Sequence, residues 1–226
     1  MGPSAKGRGK LKMKIVKDGW KFVIPLLILA VILFFFWKIG SLFLLGLAAL
    51  TFFFFRDPER KIPEGEDLIL SPADGKVIDI SEVEEENFLH SRVKVLRIFM
   101  SVFNVHVQRS PVKGKVEWIK YRPGKFMAAY TEEASGGNES NLIGIQKSNK
   151  PNSNRQRILV KQIAGSVARR ICCWCKEGDN LVAGQRIGMI RFGSRADVYL
   201  PQGVEIKVKR GDRVVGGETL MGKFPS

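Results

Sequence analysis

The longest apolar stretch of the chain lies near its start. Phe22–Trp37 is a run of 16 residues without a charge, Ile39–Phe55 is one of 17, and only Lys38 separates them. As helices these runs would each reach roughly 25 Å, whereas the hydrocarbon core of a membrane is about 30 Å thick. We therefore expect an N-terminal transmembrane helical hairpin, a membrane anchor over residues 22–55 made of two short helices that turn near 38–41. A single span that continues into an interfacial segment is the alternative.

Beyond the apolar stretch, the pattern changes to short runs of β-branched and aromatic residues between Gly, Pro and Asp. Such runs are typical of strands, and Gly and Pro favour turns between them. Helical periodicity is sparse, apart from one short turn at 128–133. We predict a mainly β fold, a compact β-sandwich or barrel-like domain over residues 56–226. Its clearest predicted strands are Val77–Ile80, Val93–Phe99, Val116–Ile119 and Arg157–Ile163.

Two internal echoes mark the turns of this β domain. Ser71–Val77 reads Ser-Pro-Ala-Asp-Gly-Lys-Val, and Ser110–Val116 reads Ser-Pro-Val-Lys-Gly-Lys-Val. In the same way, Gly178–Gly184 recurs as Gly211–Gly217. The echoes resemble the turns of biotinyl/lipoyl-type modules, in which Pro fixes φ and Gly supplies positive φ. Neither echo carries a lysine in the expected modification tripeptide, so the sequence does not predict a carrier.

The formal net charge of +15 favours an anionic partner. Residues 1–21, a basic cytoplasmic tail, carry seven Lys or Arg against Asp18 alone, and Arg56, Arg60 and Lys61 follow the apolar stretch. The positive-inside rule places both ends in the cytoplasm, so the β domain is expected on the cytoplasmic face of the cell membrane, beside anionic inner-leaflet lipids. Nucleic-acid binding rests on net charge alone, lacks an aromatic-basic motif and is not predicted.

The three cysteines, Cys172, Cys173 and Cys175, lie within four residues of each other. A Cys-x-x-Cys spacing is formally present, but there is no second pair and the chain has only two histidines. We therefore predict reduced thiols along a half-buried strand, and no metal site.

A candidate reactive peptide lies at Gly193-Ser194. A serine hydroxyl held in a tight turn can attack the preceding carbonyl, form an ester and eliminate to leave a pyruvoyl group. The dipeptide alone is weak evidence, because it also occurs at Gly40-Ser41 and Gly165-Ser166.

Two further residues are candidates for chemistry. If Ile98–Pro111 is one strand, His106 shares a polar face with Asn104 and Gln108, where it could contact a reacting group or serve a structural role. Asp74 lies in Pro-Ala-Asp-Gly, which is typical of a turn, yet it could also orient a histidine in a Ser-His-Asp arrangement.

Five motifs, taken together and in order, resemble the phosphatidylserine decarboxylase family, of the short membrane-anchored, pyruvoyl-dependent type. The match spans roughly residues 20 to 222. The motifs are Phe54–Arg60, Ser71–Val77, Phe103–Gly114, Ile163–Arg170 and Arg191–Arg195.

The resemblance implies a proenzyme that cleaves itself at Gly193-Ser194. The products would be a β chain, 1–193, and an α chain, 194–226, with Ser194 converted to the pyruvoyl cofactor. It also implies a processing triad in which His106 takes the Ser194 proton and Asp74 holds the imidazolium. The substrate would be phosphatidylserine, whose amine would condense with the pyruvoyl carbonyl before CO₂ leaves, and His106 would protonate the resulting carbanion to give phosphatidylethanolamine.

The substrate contacts are less clearly marked in the sequence. Arg169 and Arg170 follow a short Ala-Gly motif and could pair with a phosphate or carboxylate, and Arg56 could hold the lipid phosphate at the interface. The chain departs from the family pattern at the cleavage site, Phe-Gly-Ser-Arg, and at Asn138-Glu-Ser140, where the family often has Asn-Glu-Arg.

Alternatives remain at this point. One is a membrane-anchored, non-enzymatic β-sandwich scaffold or adaptor, although no long heptad hairpin is visible. Another is a decarboxylase of an archaeal-type serine ether lipid. The oligomeric state is open, with a homodimer as one arrangement.

Overall fold

The computed structural model describes residues 13–131, 133–147, 156–166, 170–191 and 194–225. The chain divides into two compact units, residues 1–59 and residues 60–226. Each unit is described separately below.

The first unit is a helical hairpin closed by a short ribbon. Two helices pack against each other, and Ser41 Oγ donates a hydrogen bond to the Ala30 carbonyl across them (2.8 Å). The ribbon is antiparallel and joins the strands on either side of the hairpin. The elements are β1 (Met13–Ile15), α1 (Lys17–Phe34), α2 (Lys38–Phe54) and β2 (Arg56–Pro58).

The hairpin corrects one prediction from the sequence. In the described part of the chain, no helix combines the length and the apolar character needed to cross a membrane, so the transmembrane character of the hairpin is not supported. Residues 35–37 divide the apolar stretch, whereas the sequence placed the turn near 38–41. The first helix also begins with the charged residues Lys17, Asp18 and Lys21.

The second unit is built almost entirely from strands, which confirms the prediction of a mainly β fold. Its one helix in the described residues, α3, has five residues. The elements are β3 (Leu68–Leu70), β4 (Gly75–Glu85), β5 (Ser91–Met100), β6 (Val107–Arg109), β7 (Gly114–Arg122), α3 (Glu133–Gly137), β8 (Ser140–Lys147), β9 (Arg157–Ala164), β10 (Ile171–Cys173), β11 (Asn180–Leu181), β12 (Arg186–Ile190), β13 (Ser194–Leu200), β14 (Glu205–Ile206), β15 (Arg213–Val214) and β16 (Leu220–Lys223).

The largest sheet has eight antiparallel strands and curls into a half-barrel. Its order is β11-β7-β8-β9-β13-β5-β4-β15, and two three-stranded sheets, β10-β12-β6 and β14-β16-β3, accompany it. One main core lies inside the curl and draws on most of these strands. From β13 it receives Ala196, Val198 and Leu200, so the alternate residues Arg195 and Asp197 lie on the opposite face of that strand.

The echoes in the sequence correspond to a repeated structural unit. Ser71 Oγ donates to the Ala73 carbonyl and Ser110 Oγ to the Val112 carbonyl, both at 2.7 Å. The glycine echoes repeat the pattern, because Gly211 N donates to the Val77 carbonyl and Gly178 N to the Val116 carbonyl, both at 2.8 Å. The repeated turns therefore bring equivalent strand starts, at β4 and β7, against equivalent short strands, β15 and β11.

The repeat also explains one glycine in each echo. A Cβ at Gly75 would lie 2.3 Å from the Phe99 carbonyl oxygen, and a Cβ at Gly114 would lie 2.3 Å from the Gln146 carbonyl oxygen. Both contacts are with backbone, so the strands could accept a side chain only by moving apart.

We predict that Gly75→Ala and Gly114→Ala each lower the free energy of unfolding by about 1–3 kcal/mol, because the new methyl group separates paired strands. Gly136→Ala is the control, since a Cβ there meets no atom within 4 Å. Urea unfolding in a Ser194→Ala background, which lacks the hydroxyl predicted to cleave the chain, followed by circular dichroism, measures the three differences. Equal effects in all three variants would contradict the close-packing argument.

Candidate active site

Ser194 is the first residue of β13, in the middle of the eight-stranded sheet. Its backbone pairs with Met100 of β5 on one side and with Ala164 of β9 on the other. It lies on the same face of β13 as the core residues Ala196 and Val198, and it is completely buried. The Ser194 hydroxyl donates its hydrogen bond to Met100 Sδ at 3.4 Å. Because a thioether is a weak acceptor, this buried hydroxyl has only a weak partner.

His106 is also fully buried and lies in the segment between β5 and β6. That segment is not one strand, since a turn closed by hydrogen bonds between Ser101 and Asn104 interrupts it. His106 Nδ1 lies 2.9 Å from the Asn104 carbonyl oxygen. A carbonyl only accepts, so Nδ1 carries a proton, and in a neutral ring the basic lone pair is then on Nε2.

Asp74 lies in the first repeated turn, where it is held by two partners. Arg60 Nη2 lies 2.8 Å from both carboxylate oxygens, and Gly216 N donates to Oδ1 at 2.8 Å. The equivalent position of the second turn is Lys113. The repeated turn therefore does not itself require an aspartate. The charge of Asp74 is instead balanced by Arg60, in an ion pair that is largely buried.

The three predicted triad residues are not hydrogen-bonded to one another in the described residues. Asp74 contacts Arg60 and Gly216, while the Ser194 hydroxyl contacts Met100. Gly193, the other residue of the predicted cleavage bond, lies outside the described residues. The triad roles therefore remain predictions.

A chain of hydrogen-bonded, buried side-chain amides leads to His106, and the sequence predicted only part of it. Asn141 Nδ2 donates to Gln162 Oε1, and Gln162 Nε2 donates to Gln108 Oε1, both at 2.9 Å. Gln108 Nε2 in turn donates to the His106 carbonyl at 2.8 Å and lies 3.6 Å from the same Met100 sulfur that Ser194 contacts. The predicted polar face indicated Gln108, but nothing in the sequence linked it to strands β8 and β9.

An ion pair between Arg195 and Asp197 is the second feature that the sequence did not reveal. Both side chains are buried, with Arg195 Nε 2.8 Å from Asp197 Oδ1. Arg195 Nη1 also donates to the carbonyls of Ala129 (3.0 Å) and Thr131 (2.8 Å), and Nη2 bonds Ser135 Oγ. The residue that follows Ser194 thus ties β13 to Ala129, Thr131 and Ser135. An Arg-x-Asp spacing in a strand could have signalled the pair, since the two side chains share a face.

Burial shifts the pKa values of Asp197 and of its neighbour Lys161. Desolvation raises the pKa of Asp197 above its ordinary value, although the charge and hydrogen bonds of Arg195 oppose the effect. Burial also lowers the pKa of Lys161, which lies beside Asp197 on β9, and the Asp197 charge opposes that shift. The ion pair therefore offsets a desolvation cost as well as adding hydrogen bonds.

The predicted substrate contacts are spread over the chain. Arg56 Nη1 donates to the Phe53 carbonyl at 2.7 Å, and its guanidinium carbon lies 3.7 Å from the centre of the Phe53 ring. Arg170 is exposed, and its carbonyl accepts from Arg191 N at 3.2 Å. Arg169 lies outside the described residues. Across the described ranges, no three His, Cys, Asp or Glu side chains converge as metal ligands.

Asn138, which lies in the departure from the family pattern, has a structural role. Its side chain is buried and bonds the backbone N and O of Met127 and the carbonyl of Ala164. The segment before β8 is therefore fixed to β9 through this amide.

Comparisons with known proteins identify the chain as an enzyme of the decarboxylase class. The family model described as phosphatidylserine decarboxylase matches residues 47–222. The chain belongs to the phosphatidylserine decarboxylase family, as its curated relatives also show.

Three relatives named phosphatidylserine decarboxylase proenzyme illustrate the similarity. The protein of Symbiobacterium thermophilum is 47% identical over 212 residues, covering 93% of this chain and 96% of its own. That of Carboxydothermus hydrogenoformans is 44% identical over 218 residues, covering 95% and 99%. That of Syntrophus aciditrophicus is 44% identical over 212 residues, covering 93% and 97%.

We predict that Asp197→Asn lowers the free energy of unfolding by about 3–5 kcal/mol, because it leaves Arg195 buried without its counter-charge. The double variant Arg195→Met/Asp197→Asn should lose less than the sum of the two single variants. Urea unfolding in a Ser194→Ala background, which lacks the hydroxyl predicted to cleave the chain, gives the coupling free energy.

The control for this cycle is the exposed ion pair between Arg92 and Glu82. Glu82→Gln should cost less than about 1 kcal/mol, because solvent screens that pair. Additive effects at residues 195 and 197, or a cost no larger than that of Glu82→Gln, would contradict the proposed importance of the buried pair.

Proposed function

We propose that this chain decarboxylates phosphatidylserine to phosphatidylethanolamine, using a pyruvoyl group made from its own Ser194. Family membership supports the reaction, and the word proenzyme in the names of its relatives supports a precursor that is processed. The observation that carries the proposal is the placement of Ser194, a buried serine that follows a glycine at the start of the central strand. Membership of an enzyme family also favours this function over a scaffold.

In the proposed processing, Ser194 Oγ attacks the carbonyl carbon of Gly193, and the Gly193-Ser194 peptide bond breaks to leave an ester and the free Ser194 amine. Elimination of the ester then releases the Gly193 carboxylate and leaves dehydroalanine at position 194, which water converts into the pyruvoyl group with loss of ammonia. The hydroxyl is suited to the attack because its partner in the fold is a thioether, so little hydrogen-bond energy is lost when it turns toward a carbonyl. Glycine at 193 has no side chain to shield that carbonyl. His106 receives the hydroxyl proton at Nε2, the nitrogen left basic when Nδ1 donates to Asn104.

Asp74 has the least structural support of the three proposed processing residues. Its carboxylate already accepts hydrogen bonds from Arg60 and Gly216. A carboxylate has about four acceptor positions, of which three are in use here, and the described residues show no contact between Asp74 and His106. Its proposed role therefore requires a rearrangement of the turn at residues 71–75, or an action through charge alone.

The surroundings of Ser194 fit a pyruvoyl group. The group is formed from the residue itself, at a buried position whose hydroxyl makes a weak hydrogen bond, and His106, which can transfer protons, is buried as well. When present, a pyruvoyl group supplies a carbonyl that reacts with the substrate amine and accepts electrons as CO₂ leaves. In our proposal His106 then returns a proton to the carbon that has lost CO₂.

We further propose that the protein works at the cytoplasmic face of the cell membrane, where its lipid substrate resides. Large apolar side chains are exposed along the helical hairpin, among them Phe36, Ile39 and Phe43. Exposed apolar side chains on short helices suit burial at the membrane interface, and the basic tail suits anionic lipids. Arg169 and Arg170, of which Arg170 is exposed, are proposed contacts for a phosphate or carboxylate of the substrate, and Arg56 is proposed separately as a contact for the lipid phosphate at the interface.

We predict that the purified protein consists of two chains, one of them the 33-residue segment 194–226 with a blocked N-terminus. Denatured intact mass measures this directly. Ser194→Ala should remain a single chain, because it lacks the attacking hydroxyl.

Ser166→Ala is the matched control, because Ser166 also follows a glycine and is exposed. It should be cleaved like the unmodified protein. A Ser194→Ala variant that is still cut at the same position, or an unmodified chain that is folded yet uncut, would rule out self-processing by Ser194.

We predict that His106→Ala slows chain cleavage by about 10²–10⁴-fold, the usual contribution of a positioned proton acceptor. The fraction cleaved, followed over time after synthesis in a cell-free system, gives the rate. His90→Ala is the control, because His90 is the other histidine and is exposed. Equal cleavage rates in the two variants would show that His106 is not the base.

A further inference from the structure

The cysteine cluster lies at the end of β10, outside the proposed catalytic site. β10 pairs with β12, with Cys173 opposite Gly188. Among the described residues, β10 is an edge strand of its three-stranded sheet. Cys173 is exposed, while Cys172 and Cys175 are partly exposed, so solvent and small solutes can reach the cluster.

Two of the three thiols are close together. Cys173 Sγ lies 3.7 Å from Cys175 Sγ, and the two can share a hydrogen bond. A disulfide has a sulfur–sulfur distance of about 2.0 Å, so the two sulfurs have to approach by about 1.7 Å to form a bond. Successive residues of a strand point to opposite faces, which directs Cys172 away from this pair.

The surroundings make Cys173 the more reactive thiol. The hydrogen bond from the Cys175 side chain, outweighing desolvation, lowers the pKa of Cys173 to about 6, with help from the Cys175 backbone and the Asn141 side chain. The charge of Asp179 opposes the shift. The same contact raises the pKa of Cys175. The lowered pKa of Cys173 favours its thiolate form, and a thiolate is the form that attacks a disulfide.

A metal site is less well supported by the same residues. Structural zinc bound by protein thiolates takes four ligands. Only two thiols converge here, and within the described ranges no third His, Cys, Asp or Glu completes a set with them.

We propose that Cys173 and Cys175 form a thiol–disulfide exchange site that reacts with low-molecular-weight disulfides. The Cys173 thiolate attacks the external disulfide, forms a mixed disulfide and releases one external thiolate. Cys175 then attacks Cys173 Sγ, closes the Cys173–Cys175 disulfide and releases the second external thiolate, which takes up the Cys175 proton. The external disulfide is reduced to two thiols and the protein pair is oxidised. This inference does not depend on the decarboxylase function.

The test uses the full chain and bis(2-hydroxyethyl) disulfide as the probe. After exposure at pH 7, remaining thiols are blocked with N-ethylmaleimide in acid, and the chain is digested with trypsin. All three cysteines fall in one peptide, Ile171–Lys176, since Arg170 and Lys176 are cleavage positions. We expect this peptide to have lost two hydrogens and to carry one maleimide label.

Variants identify the bonded pair. Cys172→Ser should form the disulfide at the unmodified rate and carry no label, whereas Cys175→Ser should accumulate a mixed disulfide on Cys173. Loss of the internal disulfide in Cys172→Ser, or mixed disulfides on the unmodified chain with no internal bond, would overturn the proposal.

A pH profile tests which thiol attacks. In Cys172→Ser, alkylation of Cys173 by iodoacetamide should rise about tenfold from pH 5 to 7 and then level off, as expected for a pKa of about 6. In Cys172→Ser/Cys175→Ser, it should continue to rise beyond pH 8, because the donor thiol is gone. Identical profiles in the two variants would exclude activation of Cys173 by Cys175.

Discussion

The backbone pairing of β13 is the constraint on which the rest of this structure depends. Seven of its residues pair with β5 and six with β9, so the strand is held on both sides in the middle of the sheet. The later strands β15 and β16 pair with β4 and β3. A chain cut just before Ser194 would therefore remain assembled, because every one of these partners precedes the cut. The fold can thus tolerate the loss of one peptide bond at the position where the proposed chemistry requires it.

The two faces of β13 carry side chains with different roles, one with the proposed reactive group and the other with groups that stabilise the strand. Ser194 continues the core face, where its hydroxyl meets a weak acceptor, while Arg195, paired with Asp197 on the other face, ties the strand to the Ala129 carbonyl. Since the neighbouring residues hold the strand so firmly, the Ser194 hydroxyl does not have to contribute to stability. His106 is fixed separately, through its own turn and through Gln108.

Much of this was predictable from local patterns, and the remainder depends on long-range pairing. Alternation and turn residues predicted the β domain, and the echoes at Ser71 and Ser110 predicted equivalent turns, because both are properties of short segments. The partner of Asp74 was not predictable, since its ion pair with Arg60 is a tertiary contact that no local pattern marks. The buried amide chain was hidden for the same reason: Gln108 and Gln162 are far apart in sequence and meet only across strands. The two helices of the hairpin were predictable from the apolar stretch, but their membrane-spanning character is not supported, since no helix among the described residues is long and apolar enough to cross a membrane.

The central claim is that Ser194 is the source of the decarboxylating group. The most direct test follows labelled CO₂ released from phosphatidylserine that carries the label in its headgroup carboxyl, in vesicles, with the purified protein and with Ser194→Ala. Our account predicts that label is released in step with phosphatidylethanolamine by the unmodified protein and not by the variant. Equal release by the variant, or no release by a folded and cleaved protein, would contradict it.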